Sequence, residues 1–100
     1  MKIRYLSVAD FEFDEAVAWY LVRSRSAARH FSKEVRIVER LLLKHPRVGR
    51  CVELDARSLC VNDFPDNLIY SIEKTGIMVV AVAHHSRRPG YWMDRLHEMR

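Results

Sequence analysis

No apolar run in the chain approaches the roughly 20 residues of a membrane-spanning helix, and Met1-Lys2-Ile3-Arg4-Tyr5 has no secretory apolar core behind it. The expectation is a cytoplasmic protein with no membrane partner. Cysteine is scarce: Cys51 and Cys60 fit neither a CxxC redox pair nor a zinc knuckle, so both are read as free thiols. His84 and His85 make a poor metal pair, because neighbours on a strand point to opposite faces. Neither a metal nor a cofactor is expected. Also missing are GxGxxG, a P-loop, HExxH and a usable Ser-His-Asp spacing. The only dense carboxylate cluster, Asp10, Glu12, Asp14 and Glu15, falls at a helix start, where solvation and the helix dipole account for it. Acid-base chemistry by paired carboxylates therefore has no support.

What remains is a chain of 100 residues, 49% apolar and 30% charged, which suits a single globular domain spanning 1–100. The net charge of +4 is unevenly spread: nine Lys or Arg lie between Arg23 and Arg50 against only Glu34 and Glu39. An acidic first helix followed by a basic middle suggests an anionic partner for one region.

The most informative stretch is Ile77-Met78-Val79-Val80-Ala81-Val82-Ala83, an uncharged run rich in β-branched residues. A half-exposed strand would alternate apolar with polar, so this one predicts the central strand of a sheet covered on both faces. It runs directly into His84-His85-Ser86-Arg87-Arg88-Pro89-Gly90-Tyr91-Trp92. A rigid strand that delivers basic and aromatic groups to its exposed end is a good mount for a binding constellation. A surface turn with Tyr91 and Trp92 folded onto the core is the plainer alternative.

In order along the chain, residues 2 to 6 alternate basic with apolar and predict a short strand with Ile3 and Tyr5 on one face. Ser7 reads as an N-cap to a helix from Val8 to Val22, whose apolar face is Ala9, Phe13, Ala16, Val17 and Tyr20. Arg23 to Ser26 reads as a link, and a second helix is expected from Ala27 to Lys44, with Ala28, Phe31, Val35, Val38 and Leu42 inward. Arg29, Lys33, Arg36, Arg40 and Lys44 form a basic stripe on another face, either solvated or a docking ridge for acidic segments or phosphates. Pro46 ends that helix at His45, and residues up to Ala56 are expected as loop. A strand from Arg57 to Phe64, a turn at Pro65-Asp66-Asn67 and a strand from Leu68 to Glu73 follow. Lys74-Thr75-Gly76 then closes a hairpin into the Ile77 strand, and Met93 to Arg100 forms a helical turn or two or frays. The fold class is α+β: an N-terminal strand, a helical hairpin, then three antiparallel strands in a small sheet (βααβββ).

These elements carry Trp19-Tyr20, Ala28 and Phe31, Pro46 with Gly49, Arg57, Phe64-Pro65 and Leu68-Ile69-Tyr70, and then Ala81-Val82-Ala83-His84 with Arg87-Arg88-Pro89-Gly90-Tyr91-Trp92. In that order and spacing the chain resembles the RelE/ParE superfamily of toxins from bacterial type II toxin-antitoxin systems, the ParE-like members being plasmid stabilisation proteins. The resemblance implies a growth-inhibiting toxin held inactive by a cognate antitoxin whose C-terminal segment wraps it, with operator DNA contacted only through that antitoxin. RelE-like members cut mRNA on the ribosome; ParE-like members poison DNA gyrase.

Metal-free RNA cleavage needs a base, an acid and cations around the phosphorane. Where the RelE pattern places two lysines and an arginine on the sheet, this chain has Ser58, Cys60 and Asn67. Losing three such cations removes roughly 3 kcal/mol of transition-state stabilisation apiece. The resemblance therefore implies a gyrase poison rather than an enzyme, with Arg57, His84, Arg87, Arg88, Tyr91 and Trp92 as target-binding residues and the stripe Arg29, Lys33, Arg36, Arg40 and Lys44 towards the antitoxin. The alternatives are a ribosome-dependent endoribonuclease using His84, His85, Arg87, Arg88 and Tyr91, and a non-toxic scaffold that binds the antitoxin for operon autoregulation.

Overall fold

The alternation at the N-terminus becomes β1 (Lys2–Tyr5), with Ile3 and Tyr5 against the core and Lys2 and Arg4 exposed. In the computed structural model, which describes all residues from Met1 to Arg100, it leads into α1 (Ser7–Arg23). Ser7 is the first helical residue rather than the cap; Leu6 holds that position without a side-chain hydrogen bond. The link to α2 (Arg25–Lys44) is one residue, Ser24, not four. Its hydroxyl accepts the Ala27 N–H, which lets α2 begin two residues earlier than expected.

Ala9, Phe13, Ala16, Val17 and Tyr20 of α1 and Phe31, Val35, Val38 and Leu42 of α2 pack on one face of the sheet, as their spacing predicts. Phe31 stacks on Phe13 at 5.9 Å and meets Phe64 edge-on at 5.1 Å, and each such pair adds about 1 kcal/mol beyond simple burial. The helix ends at Lys44 with His45 as its cap, ahead of Pro46.

The stretch expected as loop holds β2 (Arg50–Cys51) and a single 3-10 turn (Glu53–Asp55). Next, β3 (Arg57–Cys60) stops four residues short of the expected Phe64. Asp63 takes a left-handed conformation (φ 71°) and makes the turn before Pro65 rather than after it. Asp66 and Asn67 consequently belong to β4 (Asp66–Glu73), which a tight turn joins to β5 (Gly76–His84).

The five strands lie in the order β1-β5-β4-β3-β2, all antiparallel except the parallel β1–β5 pair. The apolar strand β5 is interior, yet β4 and not β5 sits in the middle, and β1 accompanies β5 only as far as Val79. Both faces of β5 are covered: α1 and α2 on one, α3 (Met93–Met99) with Trp92 and Leu96 on the other. Opposite Ile69 and Tyr70 the register slips, with Ile69 facing Ala81 and Tyr70 facing Val79, so Val80 is an extra, bulged residue. Val80 and Ala81 consequently point the same way, and alternation is inverted from Ala81 onward. No helix is long and apolar enough to cross a membrane.

Candidate functional site

Beyond the bulge, the sheet face away from α1 and α2 opens into a cleft of about 650 Å³. Its floor is Ser58 of β3, Asn67 and Ile69 of β4, and Ala83 of β5; Arg50 and the loop carrying His85, Arg87 and Arg88 wall it. The phase inversion at Val80 is what sends His85 to this side.

A hydrogen-bonded row crosses the floor. His85 Nε2 donates to Asn67 Oδ1 at 2.8 Å, and Asn67 Nδ2 donates to Ser58 Oγ at 2.8 Å. With Asn67's carbonyl as acceptor, Nε2 carries the His85 proton and Nδ1 is free. His84 instead folds over its own turn, its Nδ1 accepting the Ser86 N–H at 3.0 Å. The two imidazoles thus do not converge on one point.

The loop after β5 is held by a residue that sequence patterning passed over. Glu12 of α1 accepts both guanidinium nitrogens of Arg95, at 2.8 and 2.9 Å, and the Tyr91 hydroxyl at 2.8 Å. It also accepts the Val82 N–H at 3.1 Å, which β1 no longer reaches. Arg95 in turn donates to the Val80 carbonyl at 2.9 Å. Arg87 Nη1 stands 3.8 Å from Glu12 and its guanidinium lies 3.8 Å from the Tyr91 ring centroid. Burial acts to raise the Glu12 carboxyl, but the bonds from Arg95, Tyr91 and the Val82 amide outweigh it and hold it below its usual value. Burial first, and then the bond to Glu12, push the Tyr91 hydroxyl far above the ordinary tyrosine range, so it stays a protonated donor. Glu12 had a signal in the sequence: it sits three residues after Ala9 and four before Ala16, on the buried stripe. Arg95 had none, since Met93 to Arg100 reads as a short or frayed end.

The expected target-binding residues divide accordingly. Arg87, Arg88 and His84 are exposed. Trp92 is 4% exposed and packs under Ala81 and Leu96, so it is core and not contact surface; an indole beside the sheet buries more apolar area inward than a turn offers outward. Tyr91 shows only part of its ring. Arg57 lies apart from the cleft, where it donates to the carbonyls of Arg47 and Gly49 at 3.0 and 2.9 Å. In the alternative catalytic set, Tyr91 is committed to Glu12 and His84 is turned from His85, which leaves Arg87 and Arg88 beside a single imidazole. Arg29, Lys33, Arg36, Arg40 and Lys44 are all exposed along α2. Cys51 and Cys60 are exposed free thiols. Compared with known proteins, no family model matches the chain and no curated protein matches its sequence.

Proposed function

We propose that this protein is the toxin of a type II toxin-antitoxin system of the RelE/ParE kind, which arrests growth in the cytoplasm through a contact with DNA gyrase and is silenced by a cognate antitoxin. The reading rests first on the resemblance, and the α+β layout of a helical pair over a mostly antiparallel sheet is compatible with it. The observation that carries the choice of target is the composition of the cleft. Exposed arginines ring it, whereas Ser58 and Asn67 on its floor bring no cation and no converging acid and base. Such a surface can grip a macromolecule but is poorly equipped to cleave a phosphodiester.

The test is to add purified protein to gyrase and supercoiled plasmid, where cleaved DNA should accumulate. Intact plasmid, together with cut mRNA in a translating extract, would overturn the choice in favour of the endoribonuclease, for which His85 in the cleft is the best placed residue. Arg87→Ala with Arg88→Ala should abolish growth arrest on induction without changing the far-UV circular dichroism. Undiminished arrest would remove both from the contact.

A further inference from the structure

A second groove, of about 490 Å³, lies between α1 and the C-terminal end of β5, across Arg87 and His84 from the first cleft. It shares Arg87 and His84 with that cleft at one rim, and the rest of its lining is mainly apolar, aromatic and acidic. Ala16 and Val82 form an apolar base, Trp19 and Tyr20 an aromatic wall, and Asp66 and Glu15 supply carboxylates. Asp66 is 2% exposed, yet it is in none of the ion pairs of the molecule, and its one side-chain hydrogen bond comes from the neutral Tyr20 hydroxyl at 2.8 Å. Buried carboxylates are ordinarily paired with a cation or several donors. No sealed side-chain oxygen in the protein lacks a partner, so the oxygen of Asp66 that accepts nothing keeps some access, and Asp66 lines this groove. His84, its cross-strand neighbour, is turned to Ser86, and the nearby Glu12 is already neutralised by Arg95. Trp19 remains 53% exposed, and its ring already receives one guanidinium, that of Arg23, at 3.3 Å.

We propose that this groove docks an arginine side chain of a partner polypeptide, its guanidinium bridging Asp66 and Glu15 and its flat face lying against Trp19. Arginine suits it better than lysine because a planar fork bonds two carboxylates and stacks on an aromatic ring at once. The site is independent of the toxin reading.

The test follows the Trp19 indole N–H and Val82 amide by NMR during titration with N-acetyl-arginine amide, against the neutral isostere N-acetyl-citrulline amide. The arginine probe should give saturable shifts and bind at least about tenfold more tightly than citrulline. Glu15→Lys, on the exposed lip, should weaken it by about tenfold or more, while Glu98→Lys, with the same change in net charge, leaves it unaltered. Asp66→Asn keeps an acceptor for Tyr20 and should weaken it similarly. Absence of saturable shifts, equal binding of citrulline, or equal losses from Glu15→Lys and Glu98→Lys would each overturn the site.

Discussion

Glu12 does more than any other single side chain to hold the cleft's loop, because its two oxygens serve a strand amide, a tyrosine and a bidentate arginine at once. Removing one partner of a mostly buried pair leaves the other uncompensated. Glu12→Ala should therefore cost about 3 kcal/mol in urea unfolding and loosen the loop from Arg87 to Tyr91, visible as faster amide exchange there. The sign of its pH dependence follows from its depressed pKa. The stabilisation is complete above the unfolded glutamate value of about 4.3 and is lost as pH falls through the lower folded value, so Glu12→Gln should flatten the acid limb of the stability profile. Tyr70 plays a similar part on the helix side. Its buried hydroxyl donates to the Pro46 carbonyl at 2.6 Å and accepts the Gly49 N–H at 3.0 Å, pinning the turn that follows α2. Tyr70→Phe leaves both groups unsatisfied and should cost about 2 kcal/mol, measured as a lower urea midpoint at unchanged slope.

At the scale of elements, the pairing of β1 with β5 depends on how closely their backbones approach at the start of β5. A Cβ on Gly76 would lie 2.0 Å from the Lys2 carbonyl oxygen, so no side chain fits without parting the strands. Gly76→Ala should destabilise the fold by about 2–3 kcal/mol and strip protection from the Lys2–Tyr5 amides in hydrogen exchange; protected amides would show that the strands accommodate the methyl. The two long helices were legible in the sequence to within two residues, because Phe31, Val35, Val38 and Leu42 announce their face by local spacing alone. The strand boundaries were less so. Asp63 turns the chain ahead of Pro65, a choice between two polar turns that the surrounding pairing makes. Trp92 was misplaced for a related reason: an aromatic beside arginines suits a surface contact or a core, and only the docking of α3 beneath β5 selects the core.

Across the whole molecule, charge is segregated more sharply than the net value of +4 conveys. The α2 stripe and the arginine-walled cleft are basic, while the groove at Asp66 and Glu15 is acidic. The stripe residues are exposed, so their worth is more in long-range attraction than in stability. Lys33→Glu with Arg36→Glu and Arg40→Glu should lower the salt at which the protein elutes from heparin, with unfolding free energy changed by less than about 1 kcal/mol. Elution at an unchanged salt concentration would show the stripe to be an inert solvated face.

The amino-acid order was enough to set the succession of strand, helical pair and strands, the inward faces of α1 and α2, and the double-sided burial of β5, because each is written in a short-range period of apolar residues. The parallel pairing of β1 with β5, the middle place of β4, the extra residue at Val80 that turns His85 toward the cleft, the Glu12 clasp and the inward Trp92 were decided only by the tertiary structure. Each of these depends on partners far away in the chain, such as Glu12 and Arg95, and a shift of one residue in strand register reverses which side chains meet.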